Sequence, residues 1–258
     1  MRIEKLRQYK YRLRETMLQY SDILNSRKEI WQSKEIVRRL YHRWYGIVGD
    51  AIKPGTILEI GGGSGNLKEF FPDAISSDIL FVPWLDVVAD AHHLPFKHGS
   101  LDNIVLFDVL HHLREPGSFF SDAQRVLKQG GRILIMEPYV SWASFLVYRF
   151  IHSEGMNWNI DPFKIDYSVK GKSPFSGNQA VTTLMFEKYK ERFIEACPHF
   201  RIIKQECFDF IVYPLSGGFN HPNLCPLFMY NLFEWLEKLL KPLSSVLAFR
   251  IFVVLEKI

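Results

Sequence analysis

Apolar positions in the first fifty residues recur at helical spacing. Leu6, Leu13, Leu18, Ile23 and Leu24 make one stripe, and Ile36, Val37, Leu40, Trp44 and Ile47 a second, with Lys, Arg and Tyr between them. The pattern predicts two or three amphipathic helices ending before Pro54-Gly55. Beyond it the period changes. Short apolar runs occupy Thr56 to Ile60, Ala74 to Asp78, Leu85 to Asp90, Leu101 to Asp108 and Arg132 to Glu137. Runs without polar alternation suit strands covered on both faces. Between them, Asn66 to Phe71 and Ser118 to Leu127 read as helices, the latter stopped by Gln129-Gly130-Gly131. Strands alternating with helices predict a parallel α/β sheet with right-handed crossovers. Residues 139–180 mix aromatic, Gly, Pro and charged positions, as a lid-like insertion would. A helix is expected over Ala180 to Ala196, a sixth strand within Phe200 to Tyr213, an apolar helix over Pro226 to Leu240 and a last strand over Ala248 to Leu255.

Composition narrows the class without naming a function. Of 258 residues, 47% are hydrophobic and 23% charged, which excludes a disordered chain. No apolar stretch reaches the ~20 residues of a membrane span. Arg2, Glu4, Lys5 and Arg7 open the chain with no apolar core behind them, unlike a secretory signal. Three cysteines, Cys197, Cys207 and Cys225, lack CxxC spacing, so neither a disulfide framework nor a zinc site is expected. Reduced thiols point to a cytoplasmic protein. Charge is uneven: residues 1–50 carry a net +6 and the rest a net −2. A basic, Tyr-containing arm suits a solvated helical face first, with phosphate, an anionic membrane surface or RNA as alternatives.

The chemistry concentrates in Glu59-x-Gly61-x-Gly63-x-Gly65, which follows a strand and opens a helix. Glycines there let backbone approach a ligand that a Cβ would repel. The spacing fails the dinucleotide pattern GxGxxG, because position 66 is Asn66. An acid two residues before the first glycine suits an amino-bearing ligand better than a pyrophosphate.

With these residues in view, the stretch 57–137 resembles the class I S-adenosylmethionine-dependent methyltransferases, in particular the type 11 group. ILEIGGGSGN resembles the group's first motif, ADAHHLPF its adenine-binding segment, FDVLHHL the motif after the fourth strand and RVLKQGGRILIMEP the passage through the fifth. The resemblance implies a Rossmann-like, doubly wound, seven-stranded sheet, mostly parallel with the last strand antiparallel beside the fifth. It implies S-adenosylmethionine as cofactor, held by Glu59, Gly61, Gly63, Gly65, Asp78, Asp90, Ala91 and Asp108. Asp78, 19 residues after Glu59, would take the ribose hydroxyls, and Asp90 the adenine amine. One segment departs from the pattern: Ile79 to Trp84 replaces a helix, and Pro83 opposes one there.

The organisation expected is a helical cap over 1–50, a cofactor-binding core over 51–138 and 181–258, and a substrate-side insertion over 139–180. His111 and His112 sit past the fourth strand, where open α/β sheets bind ligands, and are the candidate catalytic residues. Arg39, Arg43, Trp142, His152 and Glu154 are the candidate substrate-side residues; His-x-Glu without a further ligand is weak evidence for metal, so none is expected. Aromatics with arginines suit a small or a lipid- or nucleotide-linked acceptor carrying an anionic group, and resemblance over the whole chain points to cell-surface glycan or lipid biosynthesis. The apolar helix 226–240 offers a peripheral contact at the inner face of the membrane. Two other readings stand: a non-catalytic scaffold of the same fold, and an RNA methyltransferase. The latter lacks an NPPY-like tetrad and an added RNA-binding module, which disfavours nucleic acid as the partner.

Overall fold

The structure, a computed structural model, describes residues 20–151, 154–163 and 175–258. The stripe positions Leu6, Leu13 and Leu18, and the candidate His152, lie outside them.

Two helices, α1 (20–33) and α2 (Glu35–Gly49), precede the sheet. Its strands are β1 (Ile57–Ile60), β2 (Ile75–Asp78), β3 (Val87–Val88), β4 (Leu101–Phe107), β5 (Leu127–Pro138), β6 (Phe200–Phe208) and β7 (Arg250–Lys257), in the order β3-β2-β1-β4-β5-β7-β6. β1 to β5 pair in parallel, and β7 lies antiparallel between β5 and β6. This is the doubly wound sheet expected, with the last strand beside the fifth.

Side chains that alternate along a strand sort the core into two layers. Val105, Leu134, Met136, Phe252 and Val254 face one way and pack under α2 through Ile36, Val37, Leu40, Trp44 and Val48. Ile104, Leu106, Ile133, Ile135, Ile251 and Val253 face the other way. They meet Phe119 and Phe120 of α3 (Pro116–Val126), together with Phe186 and Phe193. Both layers are dry, which is why the strands read as apolar runs.

Insertion residues Trp142–Phe150 form α4, started by a capping box in which Ser141 and Ser144 satisfy each other's backbone N–H. The predicted helix 180–196 is divided into α5 (Val181–Thr183), a π-helical stretch Leu184–Lys188 and α6 (Lys190–Ala196). The remaining helices are α7 (Val212–Ser216), α8 (Tyr230–Leu240) and α9 (Ser244–Leu247).

Some boundaries differ from those predicted. The strand expected over 85–90 shortens to Val87–Val88, although the Asp86 N–H still donates to the Ser76 carbonyl at 3.0 Å and the Asp86 carboxylate binds Lys68 and the Ser76 N–H. β5 begins at Leu127, so Gly130-Gly131 lies inside a strand with a register shift, Gly130 having φ 72°. After the glycine loop there is a single 3-10 turn, Asn66–Glu69.

Candidate active site

β1 has β2 on one side and β4 on the other, so the strand order reverses there and opens a crevice at the carboxyl edge of the sheet. The glycine loop fills this edge. Gly61 has φ 69°, and a Cβ built on it would stand 2.3 Å from Val109 Cγ2. A Cβ on Gly62 would meet the Ser76 hydroxyl at 2.3 Å and Glu59 Oε2 at 2.8 Å. The loop therefore stays thin by necessity.

Acidic side chains hold the loop from behind. Asp78 accepts the Gly63 N–H at 3.0 Å and the Leu80 N–H at 2.9 Å. Buried Glu59 accepts the Ser76 hydroxyl, and burial lifts its carboxyl to about 7, with the Ser76 bond opposing and the Asp78 charge adding. In the segment that departs from the family pattern, Trp84 donates its indole N–H to the Gly63 carbonyl at 2.9 Å, clamping the loop. Asp90 turns to the next residues, accepting both the His92 N–H and its ring Nδ1.

Beside the loop lies a cavity of about 620 Å³. Glu59, Gly61, Gly63, Asp108, His111, His112 and Glu154 line it; Gly65, Asp78, Asp90 and Ala91 are not among its lining residues. Its apolar wall is aromatic: Tyr41, Trp44 and Tyr45 from α2, Phe107 from β4, Tyr148 from α4, and Tyr213. Residues 214–222 close the far side.

A polar cluster forms one end of the cavity. His111 Nδ1 lies 2.5 Å from Glu137 Oε2, and its Nε2 lies 3.1 Å from Glu154 Oε2. Glu137, fully buried on β5, also accepts the N–H groups of Val109 and Leu110 at 2.7 Å each. Burial alone would lower the His111 pKa; Glu137 and Glu154 overcome it and raise the ring to about 10. His112 goes the other way: burial and the neighbouring His111 push it down to about 3. At neutral pH the first ring is a cation and the second is neutral. Gln179 Nε2 donates to Glu154 at 2.6 Å. His111, His112 and Glu154 offer donor atoms within 4.8 Å of one another and are, among the described residues, the group that could hold a metal; as it stands the carboxylate is bonded by the charged ring.

The structure places the substrate-side candidates variously. Glu154 joins the histidines at the cavity. Arg43 instead binds buried Asp209, with Glu234 and Glu237 of α8 nearby. Arg39 pairs with Glu35 on the surface of α2. Trp142 is 79% exposed on the outer face of α4.

Three groups at the site lie beyond the sequence reading: Glu137, Gln179 and Arg250. Arg250, on β7, is 1% exposed and donates to Asp108 Oδ1 at 2.5 Å. Its guanidinium lies 4.7 Å from the Trp44 ring centre and 5.5 Å from that of Tyr213. A single charge inside the apolar run AFRIFVVL was the available signal, since a buried arginine needs a partner.

Residues 58–135 match the family profile described as a methyltransferase domain, type 11. The chain carries a type 11 methyltransferase domain of the class I fold. Among similar proteins, a demethylmenaquinone methyltransferase of Renibacterium salmoninarum is 30% identical over 129 residues, covering 43% of this chain and 54% of that one. The ubiquinone/menaquinone biosynthesis C-methyltransferase UbiE of Bordetella parapertussis is 27% identical over 130 residues, covering 38% and 50%. The chain thus spans about half the length of these relatives. A solved S-adenosylmethionine-dependent methyltransferase from Archaeoglobus fulgidus aligns over 89% of this chain and 94% of its own, at 18% identity and a TM-score of 0.48.

Proposed function

We propose that this methyltransferase-domain chain is an enzyme that moves a methyl group from S-adenosylmethionine to a small amphipathic acceptor, one with a flat ring and an oxygen substituent. The observation that carries the reading is the continuity of a glycine loop with an aromatic-walled cavity ending in a polar cluster. The names of the matching relatives, which act in quinone biosynthesis, favour the same acceptor class.

The residues present fit the cofactor. The loop lines the cavity with thin backbone at Gly61 to Gly63, and Glu59 offers a carboxylate for an ammonium group. The resemblance assigns the ribose to Asp78, which stands behind the loop with its oxygens on the Gly63 and Leu80 N–H groups. When bound, the sulfonium supplies a methyl group already activated for displacement. What remains for the chain is orientation and exclusion of water. Tyr41, Trp44 and Tyr213 stack a planar ring, and α2 with Val147, Tyr148 and Ile151 serves as the acceptor-side wall. The Asp108–Arg250 pair orients an acceptor oxygen through the exposed edge of Asp108. A proton lost by the acceptor goes to the His111–Glu154–His112 cluster.

Calorimetry with S-adenosylhomocysteine, followed by transfer of labelled methyl to demethylmenaquinol and simpler hydroxylated rings, tests the reading. Binding with turnover on a ring acceptor is expected. Binding without turnover on any of them would favour a scaffold of the same fold, and absence of binding would reject the cofactor.

A further inference from the structure

Solvent-facing helices ordinarily turn charge outward and apolar residues inward. α8 departs from this rule, although Tyr230 and Phe233 pack on the core. Its two acids face the protein: Glu237 is buried and accepts the N–H groups of Phe210, Ile211 and Val212, and Glu234 lies beside Arg43 and Tyr230. Its outer surface shows Leu232, Trp235 and Leu239, half exposed or more. Phe228, just before the helix, is 88% exposed.

α4 touches α9, which follows α8 in the chain, and exposes Trp142, Leu146 and Phe150 one helical turn apart. Monomeric proteins rarely expose contiguous apolar patches beyond a few hundred Å². The charge on the segments that form the patch is mainly positive: Arg149, Lys238 and Lys241 are exposed, and within 142–151 and 221–247 the only acids are the two that face inward, although half-exposed Glu206 of β6 lies beside Lys241. Lys241 has a loose partner, Glu206 at 3.8 Å. The patch also meets the cavity, because exposed Ile151 and Leu224 are lining residues of it.

We infer that the face formed by α4, α8 and α9 docks on an anionic lipid bilayer, with the cavity opening toward the lipid. Aromatic and aliphatic side chains enter the headgroup boundary while the three cations meet lipid phosphates. No helix among the described residues is long and apolar enough to cross a membrane, so the contact is in the plane of the surface. An acceptor with an apolar tail would reach the cavity from the bilayer; the docking itself does not depend on the methyl-transfer reading.

Flotation of the full chain with phosphatidylcholine/phosphatidylglycerol vesicles tests the inference. The chain is expected to float with mixed vesicles, less with pure phosphatidylcholine, and less again at high salt. Phe228→Ser with Trp235→Ser should lower the bound fraction roughly tenfold. Lys238→Glu with Lys241→Glu should do the same; both side chains are exposed and only the loose Lys241–Glu206 contact is lost, which separates docking from folding. The melting temperature and S-adenosylhomocysteine affinity should hold in both. A chain that stays in solvent with mixed vesicles at low salt overturns the inference. So does a stable dimer that Trp235→Ser dissociates, because a second copy would then cover the face.

Discussion

Arg250 and Asp108 meet across the sheet, guanidinium to carboxylate at 2.5 Å, with the arginine fully buried and the aspartate edge open to the cavity. Asp108 adopts φ 55° to make this contact, a left-handed backbone that a non-glycine residue rarely takes. The strained end of β4 is thereby tied to β7, beside the aromatic wall. Asp108→Asn should leave a buried cation without its counter-charge and cost about 3–5 kcal/mol in urea unfolding. Arg250→Met with Asp108→Asn should recover most of that stability. If the pair orients the acceptor, the double variant should retain S-adenosylhomocysteine affinity and lose turnover through a raised KM.

Glu59 gives a pH dependence of defined sign. Its folded pKa, near 7, stands above the ordinary 4.5 because the carboxyl is buried. The stability it contributes is complete below 4.5 and is lost as pH rises through 7, at most roughly 3 kcal/mol. Cofactor affinity should run the opposite way, since an ammonium group needs the ionised carboxylate. Calorimetry between about pH 6 and pH 8 should show affinity rising, with proton release on binding at the acid end. Glu59→Gln should flatten both trends.

Glu137 holds the loop after β4 and the charge on His111 together. Glu137→Gln should cost about 2–3 kcal/mol, since hydrogen bonds to a charged group are the strong ones. It should also bring the His111 titration down from about 10, read by ring proton NMR. In the parent, the contribution of His111 is complete below 6.5 and disappears as pH rises through about 10, so chemical unfolding should become easier in that alkaline window. A His111 titration unmoved by the substitution would show that Glu154, not Glu137, sets the charge.

The parts of the site legible in the sequence are those made by neighbours in the chain. The loop 59–65 and Asp78 lie at the ends of adjacent strands, so strand period and glycine spacing were enough to bring them together. His111 and His112 were locatable for the same reason. The arginines were not: Arg43 between aromatics looks the same whether it faces an anionic ligand or an ion pair, and its partners Asp209 and Glu237 lie 166 and 194 residues away. Glu137 and Arg250 sit at strand ends beside long apolar runs, where period alone gives a charge no direction. The pocket wall at 214–222 has no repeating pattern; only tertiary packing brings it opposite the loop.

Gly61 allows the close approach of the cofactor loop to be separated from backbone strain. Gly61 and Gly99 both have positive φ, 69° and 60°. A Cβ at Gly99 meets nothing within 4 Å, whereas one at Gly61 falls 2.3 Å from Val109 Cγ2. Alanine at either position carries the left-handed penalty of about 1–2 kcal/mol, but only at Gly61 must a neighbour also move. Gly99→Ala should therefore lower stability by that amount and leave S-adenosylhomocysteine binding intact. Gly61→Ala should lower stability further and weaken binding at least tenfold, because the Val109 side chain must turn or shift on a backbone whose N–H Glu137 holds. Adding Val109→Ala removes the methyl in the way, so the double variant should regain stability toward that of Gly99→Ala. If it also regains binding, the loss came from displacement of the loop; if binding stays lost, the added methyl itself blocks the cofactor.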